Sequence, residues 1–454
     1  MPARSPLPII IVASLAGLLF GFDTAVISGV TGQLRVAFAL TPAGLGIAVS
    51  TALWGTLLGA LTMGRPGDRF GSREVLKLIG ALYLLAALGC ALAWNLPSFL
   101  VFRFLIGVAI GGSSVLAPVY IAEAAPAQRR GALVGLFQIN IVIGILAAYI
   151  SNFLVAQLIS GDRLWRWKLA IAAFPALVFL LLLFVIPQSP RWLVHRGRLA
   201  AAAASLERLG IADPAAVIDA IREADAASPA GSHGLSWRRH GRLMLLAIGM
   251  GMFNQLSGIN AILYYLSDIF GAAGFGSLSS NLQSIVIGAT NLLATLVAMT
   301  LIDRAGRRRL LLIGSVGMAL AQGGVAVVMA FNTARSLLLP LLVAFVASFA
   351  ISQGAVIWVY LSEIFPTPVR ARGQSLGSAT HWIMNALIAT VFPAFAARSA
   401  SIPFVFFSLM MVLQFILVLW LLPETRGVPL EQMGQAMSAG RSSSRQARHG
   451  FSAP

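Results

Sequence analysis

The chain has 454 residues, of which 58% are hydrophobic and only 10% are charged, and its mean hydropathy is +0.86. So few polar side chains cannot cover the surface of a soluble globular protein. The composition therefore excludes a soluble globular protein and indicates a membrane protein. The net charge of +17 raises the question of a nucleic-acid partner, which the placement of the basic residues answers below.

A helix needs about 20 apolar residues to cross a bilayer, because lipid cannot satisfy its backbone polar groups. Windows of that length predict twelve spans, numbered in chain order: 7–30, 43–63, 76–95, 98–122, 131–154, 167–187, 243–265, 280–302, 310–331, 337–362, 373–396 and 402–422. Span 1 is too long for a cleavable signal peptide and lacks a convincing cleavage site, so we expect it to remain as a helix.

Basic residues concentrate on one side of these spans. If the amino terminus is cytoplasmic, the cytoplasmic segments hold 25 of the 32 Lys and Arg residues. The outer segments hold only Arg35, Arg163, Arg166, Lys168, Arg335 and Arg398. This bias follows the positive-inside rule and predicts that both termini are cytoplasmic. It also accounts for the net charge without a nucleic-acid partner.

Three sequence motifs occur twice. GDRFGSR at 67–73 recurs as DRAGRRR at 303–309, YIAEAAPAQRRG at 120–131 as YLSEIFPTPVRARG at 360–373, and PQSPR at 187 as PETR at 423, with offsets of 235 to 240 residues. The repeat predicts two tandem six-helix halves, 1–187 and 243–422. Between them, 188–242 is expected to form short cytoplasmic helices, and 423–454 a cytoplasmic, disordered tail. Parallel repeats of this kind are the plan of the major facilitator superfamily, with substrate near mid-membrane between the halves.

A series of longer motifs narrows this prediction: FGFDTAVISG, RFLIGVAIGG, GDRFGSR, PVYIAEAAPAQRRGAL, PQSPRWL, NQLSGINAILYY, DRAGRRR, WVYLSEIFPTPVRARGQSLG and PETRG. In order and spacing they resemble the signatures of the sugar porter family, and the chain is similar to bacterial xylose/proton and galactose/proton symporters. The resemblance implies an all-α membrane protein, with twelve transmembrane helices in two pseudo-symmetric six-helix bundles.

The same resemblance implies a proton-coupled monosaccharide importer that works by alternating access in the bacterial inner membrane. It implies no cofactor, since the proton gradient supplies the energy. The implied partners are a small sugar, H+ and the lipid bilayer, with no nucleic acid and no obligate protein partner.

Two charged residues lie well inside predicted spans, Asp23 in span 1 and Arg103 in span 4. A lone charge at the bilayer centre costs several kcal/mol, so such residues usually face the protein interior and pair. Counted from the outer surface, Asp23 lies roughly 10 Å deep and Arg103 roughly 8 Å deep. Arginine would hold the acid ionised while desolvation favours its neutral form, which suits proton coupling. The resemblance implies such a coupling pair, and a static buried salt bridge is the alternative.

A sugar site needs amides to match buried hydroxyls and an apolar or aromatic surface for the ring face. The resemblance implies a site formed by Gln138, Gln255, Asn260, Tyr264, Asn291, Trp358, Trp382 and Asn385. Asn254 and His381 complete the candidate set, each standing where the family often has glutamine. The alternative for any one amide is a hydrogen bond that joins helices. The cluster NQLSGIN in span 7 is the strongest signal, because polar atoms next to glycine favour a helix that breaks or gates.

Other departures from the family pattern leave the sugar's identity open. Ile145 stands where a glutamine is frequent in span 5, and GAVIW at 354–358 replaces the usual Gly-Pro of span 10. His381 is either a neutral hydrogen-bonding group or a second titrating group.

The repeated loop motifs carry acids as well as arginines. We expect a cytoplasmic gate that latches the outward-facing state and breaks when the inner side opens. Its members are Asp68, Arg69, Arg73, Glu123 and Arg130, with their repeats Asp303, Arg304, Arg307, Glu363 and Arg370. Positive-inside topology alone explains the arginines but not the repeated acids. Ser72 stands where the family usually has arginine, so the first-half latch is expected to be the weaker.

The remaining function classes fit the sequence less well. Cys90 is the only cysteine, and no metal-ligand spacing, catalytic constellation or phosphate loop is evident, so an enzyme or metal site is not expected. A transporter-based nutrient sensor would carry a long signalling extension. A proton-independent sugar facilitator and a polyol or inositol symporter stay open as alternatives. A drug or organic-anion exporter is more distant, because it should lack PQSPRWL and PETRG.

Overall fold

The computed structural model describes residues 6–125, 129–226, 235–366 and 369–425, and these residues contain helices and no β-strand. Within them, twelve helices are long and apolar enough to cross a membrane, which confirms the twelve predicted spans. Spans 1 to 6 are Leu7–Gly29, Pro42–Thr62, Ser72–Leu92, Leu96–Ala124, Gly131–Leu158 and Leu164–Leu183. Spans 7 to 12 are Trp237–Tyr264, Ser277–Ile302, Arg307–Phe331, Arg335–Glu363, Arg372–Arg398 and Ile402–Leu421.

Four of these spans are interrupted helices. Span 1 ends in a 3₁₀ turn at Ile27–Gly29, span 6 consists of Leu164–Ala170 and Ala173–Leu183, and span 7 of Trp237–Leu256 and Ile259–Tyr264. Span 10 begins with a 3₁₀ turn and then runs as Leu338–Phe349, a π-helical turn at Ala350–Gly354 and Ala355–Glu363. Shorter helices occupy Thr31–Ala37, Gly64–Phe70, Pro190–His195, Leu199–Arg208, Pro214–Ala226 and Leu266–Ala272.

Local sequence explains where several spans begin. Thr41 caps span 2 by accepting a hydrogen bond from the Gly44 amide at 3.1 Å, and Asn95 caps span 4 in a capping box with Ser98. Spans 3 and 9 follow Gly71 and Gly306, both with φ of +88°, a backbone region that favours glycine. The two loops therefore share one backbone geometry, as their repeated sequences predict.

Small residues bring spans 2 and 4 into close contact. A Cβ atom at Gly55 would lie 2.2 Å from the Phe104 carbonyl oxygen, and one at Gly107 would lie 1.9 Å from the Ala52 carbonyl oxygen. In lipid the hydrophobic effect does not drive helices together, and helices with closely approaching backbones associate through dispersion forces instead. Span 4 is thereby fixed beside its neighbours, with Arg103 facing the interior.

The chain divides into two compact units that differ from the two sequence halves. Unit 1 contains residues 1–230, 260–292 and 385–400, and unit 2 contains 231–259, 293–384 and 401–454. Unit 1 thus includes the first predicted half together with the predicted outer parts of spans 7, 8 and 11. The predicted boundaries at 187, 242 and 422 stay predictions, and the tail after Thr425 lies outside the described residues.

Residues 190–226 form the short helices that the linker sequence predicts. Their apolar faces meet in a small core of Leu193, Val194, Ala202, Leu206 and Ile218. Their cytoplasmic location remains a prediction from charge.

Candidate functional site

Asp23 and Arg103, which are both buried within spans of the first half, meet in unit 1. The Arg103 guanidinium donates a hydrogen bond of 2.6 Å from Nη1 to Oδ1 of Asp23. The two residues are 2% and 6% exposed, respectively. The predicted pairing of these residues is therefore present, while their role in proton coupling stays a prediction.

The geometry of this pair is poor for a purely structural salt bridge. One direct hydrogen bond joins the two groups, and Nε of Arg103 is buried with no hydrogen-bond partner in the described part of the chain. Desolvating two charges costs several kcal/mol each, and the attraction between them compensates only when the remaining donors and acceptors are satisfied. Arg103 leaves one donor unsatisfied. The pair therefore contributes less to stability than its short distance suggests.

The predicted break in span 7 lies between its two helices, at Ser257 and Gly258. Gly258 has φ of +79°, and the freed carbonyl oxygen of Ser257 accepts a 2.6 Å hydrogen bond from Nε2 of Gln322. A side-chain amide thus replaces a helical hydrogen bond at the break. The structure confirms the break that NQLSGIN predicts.

Beside this break, four predicted binding residues form a cluster in unit 2. Nε2 of Gln255 lies 3.1 Å from Oδ1 of Asn254 and 3.2 Å from both ring nitrogens of His381, so the amide faces the imidazole ring. The ring of Trp358 is 5.2 Å from that of His381, at an angle of 54°. Trp358 is 40% exposed, whereas His381 is 7% exposed. Amide and imidazole groups therefore stand beside an accessible aromatic face, the combination that a sugar requires.

Trp382 extends this cluster, because its ring meets that of His381 edge to face at 5.1 Å. Trp382 is only 3% exposed, so it supports His381 from behind.

The other predicted binding residues lie in unit 1. Nδ2 of Asn385 donates a 3.1 Å hydrogen bond to the hydroxyl of Tyr264, and both residues are buried. Asn291 is buried, while Gln138 and Asn260 are half-buried. The ten candidates thus fall into two groups of five, one in each unit, and the contacts described join residues within a group.

The predicted gate residues of the second half form a compact polar cluster. Arg307 donates two hydrogen bonds to Glu363, from Nη2 at 2.8 Å and from Nε at 3.2 Å. Thr425 donates to the same carboxylate at 2.6 Å. Glu424 accepts hydrogen bonds from the backbone amides of Arg307 at 3.0 Å and Arg308 at 3.2 Å. The cluster therefore joins the ends of spans 9, 10 and 12.

The other predicted gate residues of this half are less closely involved. Arg370 donates to the Phe365 carbonyl oxygen at 3.2 Å, and Arg304 is exposed. The side chain of Asp303 lies outside the described residues.

The first half is built differently. Arg73 donates to the adjacent Glu74 at 2.8 Å from Nε and to the Ile186 carbonyl oxygen at 3.0 Å from Nη1. Its backbone amide donates to Oε1 of Gln188 at 3.3 Å. Glu123 is half-buried at the end of span 4.

The remaining first-half gate residues make other contacts. Arg69 lies over the ring of Phe70 at 5.2 Å, and the Asp68 carbonyl oxygen accepts from Nε1 of Trp192 at 2.9 Å. The side chain of Arg130 lies outside the described residues.

Aligning the two repeated motifs on Gly71 and Gly306 corrects one detail of the repeat. Counting from Gly71 and Gly306, the equivalent of Arg307 is Ser72, and the equivalent of Arg73 is Arg308. Arg73 and Arg308 both donate to a backbone carbonyl oxygen near the end of the half's sixth span, Ile186 in one half and Leu419 in the other. Among the described residues, an arginine that donates to the acid of the neighbouring span is seen in the second half, where Arg307 donates to Glu363.

Sequence reasoning missed four polar residues of these clusters: Glu74, Gln188, Glu424 and Thr425. Gln188, Glu424 and Thr425 belong to PQSPR and PETR, motifs that were recognised as a repeat without a role for their side chains. Because each motif follows the last span of its half, its residue after proline is placed to cap the start of span 3 or span 9.

Comparison with known proteins agrees with this architecture. Residues 9–437 match the family model described as "Sugar (and other) transporter". The D-xylose-proton symporter of Escherichia coli K12 is 34% identical, with 94% of each chain covered. The D-xylose transporter of Levilactobacillus brevis is 35% identical, with 84% of each chain covered. The glucose transporter GlcP of Staphylococcus epidermidis is 36% identical over 94% of this chain and 96% of its own.

Solved structures give the same result at the level of the fold. The inward-open structure of the xylose transporter XylE from E. coli matches with a TM-score of 0.84 and 30% identity, covering 95% of this chain and 99% of the other. XylE bound to 6-bromo-6-deoxy-D-glucose matches with a TM-score of 0.76 and 31% identity, at the same coverage. The chain therefore belongs to the sugar porter family of the major facilitator superfamily.

Proposed function

We propose that this protein is a proton-coupled monosaccharide importer that works by alternating access. The observation that carries the proposal is the 2.6 Å contact between Asp23 and Arg103, both buried in membrane spans. Relatives named as D-xylose-proton and arabinose-proton symporters support it, at 34% and 33% identity.

The coupling step follows from the chemistry of the pair. In the contact described, the carboxylate of Asp23 is ionised and its charge is balanced by Arg103. When the outer side opens, external water supplies a route for a proton, which competes with the guanidinium for the carboxylate of Asp23. Protonated Asp23 releases Arg103, whose charge persists at any physiological pH. When the inner side opens, Asp23 releases its proton to the cytoplasmic side, and its carboxylate pairs with Arg103 again.

The sugar is proposed to bind beside the break in span 7. Its hydroxyls would replace the mutual contacts of Gln255, Asn254 and His381, so that these groups exchange one set of hydrogen bonds for another. The exposed face of Trp358 would receive the apolar face of the sugar ring. The other five residues that the resemblance implies, Gln138, Asn260, Tyr264, Asn291 and Asn385, stay predicted binding residues. A monosaccharide is the substrate class, with polyols or inositol as the alternative.

We place the protein in a bacterial inner membrane with both termini cytoplasmic, on the charge bias of its loops. The Arg307–Glu363 cluster then lies on the inner side. It suits a latch that holds the ends of spans 9 and 10 while the inner side is closed.

The second candidate is a sugar facilitator without proton coupling. It is favoured by the relatives named as glucose transporters, which are 36% identical to this chain. In a facilitator the Asp23–Arg103 contact would persist throughout the cycle.

Purified protein in proteoliposomes distinguishes these functions. Counterflow of labelled pentoses and hexoses is expected, together with proton uptake that accompanies sugar entry. Asp23→Asn should abolish proton-driven accumulation and leave counterflow measurable, because exchange needs no net proton transfer. Accumulation that persists in Asp23→Asn would contradict the coupling role. Transport of lipophilic cations without sugar counterflow would contradict the substrate class and favour an exporter.

A further inference from the structure

The predicted outer ends of spans from both sequence halves are packed together within unit 1. Tyr149 of span 5 donates a 3.1 Å hydrogen bond to the Leu263 carbonyl oxygen of span 7. A Cβ atom at Gly46 of span 2 would lie 1.9 Å from the Thr390 carbonyl oxygen of span 11. We call this packed region the outer joint. An alternating-access cycle must open it, so its contacts set part of the energy of outer closure.

One carboxylate lies inside the outer joint and plays no part in the proposed coupling pair. Asp268, on the short helix Leu266–Ala272 after span 7, faces Arg35 on the short helix Thr31–Ala37 after span 1. Oδ1 of Asp268 is 3.7 Å from Nη2 of Arg35, beyond hydrogen-bond distance. The side chain of Asp268 is 27% exposed, but its Oδ2 atom is buried and has no hydrogen-bond partner among the described residues. The ionised carboxylate is therefore incompletely compensated in the closed joint.

The helix of Asp268 packs on the 3₁₀ turn Ile27–Gly29 and on the short helix Thr31–Ala37, and the nearby charged groups are Arg35 and Lys168. Arg35 comes from Thr31–Ala37 and is 47% exposed at its side chain, so water screens its charge. Lys168 of span 6 reaches the adjacent 3₁₀ turn and donates to the Gly29 carbonyl oxygen at 2.7 Å. The neighbouring Tyr265 donates to the Ala389 carbonyl oxygen at 2.8 Å, which leaves its hydroxyl proton engaged elsewhere.

Burial raises the pKa of the Asp268 carboxyl above its usual range, against the lowering effects of the Thr31 hydroxyl and the Arg35 charge. The sign of the pH dependence follows. A pKa that is higher in the closed joint than in water means that the proton binds more tightly to the closed form. Acid therefore favours closure, and this contribution is lost as pH rises through the raised pKa of the closed joint.

We propose that Asp268 is a proton-binding residue of the outer joint, which closes with Asp268 protonated and opens more readily when Asp268 is ionised. The proposal rests on the alternating-access part of the proposed function and not on proton coupling at Asp23. Its consequence is that external acid favours closure behind a loaded sugar. This proton does not cross the membrane with Asp23's proton, because Asp268 lies in the outer joint itself.

Distance measurements between spin labels test this directly. Labels go on Val36→Cys and Ala272→Cys in a Cys90→Ala background, since both positions are exposed on the two short helices. Asp23→Asn is included so that titration of the coupling pair cannot contribute. We expect the short-distance, closed population to rise as the pH of reconstituted samples falls. With Asp268→Asn added, which imitates the protonated acid, the closed population should stay high and its pH dependence should be lost.

Two further variants keep the result interpretable. Asp162→Asn removes an exposed acid of the predicted outer loop between spans 5 and 6 and should leave the pH dependence unchanged. Arg35→Gln removes one of the two groups that lower the pKa of Asp268 and should move the midpoint to higher pH.

A pH dependence that survives Asp268→Asn, or an open population that grows in acid, would overturn the proposal. If symport fails in the wild type while Asp268 still controls the label distance, the coupling function is wrong and the outer joint stands.

Discussion

The two halves of the repeat start from one backbone plan and differ in how they join neighbouring spans. In each, a glycine with φ of +88° precedes a span, and the residue after a proline, Gln188 or Glu424, caps that span's first amides. In the second half Arg307 then reaches Glu363 of the neighbouring span. In the first half the same position is Ser72, and the nearest arginine bonds to the adjacent Glu74. The turn thus persists without the ion pair, so the cap is the part that both halves share and the ion pair is an addition of the second half.

The largest expected loss of stability comes from removing Glu363, the acid of the second-half cluster. Glu363→Ala leaves the Arg307 guanidinium buried without its carboxylate, and the side chain of Arg307 is only 9% exposed. We expect a loss of about 3 kcal/mol from the free energy of unfolding, within the range for broken buried pairs. Thermal unfolding in detergent measures it. A loss as small as that of Glu74→Ala would show that the cluster is not an effective cross-link.

A smaller loss is expected when the second-half cap is made like the first. Glu424→Gln keeps one carbonyl acceptor for the amides of Arg307 and Arg308 and removes the negative charge at the start of span 9. The loss should be about 1 kcal/mol, the usual value of a charged cap and its helix dipole. The unfolding midpoint of Glu424→Gln against wild type measures it, with Gln188→Glu as the reciprocal variant. Destabilisation of both halves by their reciprocal changes would contradict the shared plan.

The missing cross-link can be supplied to the first half. Ser72→Arg places a guanidinium at the position equivalent to Arg307, at the side of the bundle that carries Glu123. We expect a gain of up to about 1 kcal/mol and slower sugar counterflow, since the inner side would open less readily. The double variant Ser72→Arg with Glu123→Gln is the control, and it should lose the gain. Unchanged counterflow in Ser72→Arg would argue against a latch on this side.

The smallest effect is expected for the local pair of the first half. Glu74 is 44% exposed at its side chain and bonds within its own helix, so Glu74→Ala should cost about 0.3 kcal/mol. Salt should reduce even this difference. A loss above about 1 kcal/mol in the thermal assay would mean that Glu74 supports more than one turn of helix.

Sequence patterns predicted most of the secondary structure because the length of apolar segments and the order of motifs are local signals. The twelve spans, the break beside Gly258 and the meeting of Asp23 with Arg103 all followed from them. The pairing of Arg73 with Arg307 was wrong, although Asp-Arg-x-Gly at 68–71 and 303–306 already aligns Arg73 with Arg308. Asp268 was missed because an acid just past the end of a span looks like an ordinary loop charge. The burial of its Oδ2 atom depends on packing against the helix of Arg35, which lies more than 200 positions away in the sequence.

The π-helical turn of span 10 has a consequence for comparing sequences. A π turn holds one more residue than an α turn, so each residue beyond Gly354 is displaced around the helix axis by about 100° relative to an unbroken α-helix. The side chain of Trp358, four residues beyond the turn, meets the imidazole of His381 in the direction set by this added residue. An ungapped alignment with a relative that lacks the turn would equate side chains pointing in different directions. Deleting one residue within 350–354 should turn the indole away from the imidazole while preserving span 10.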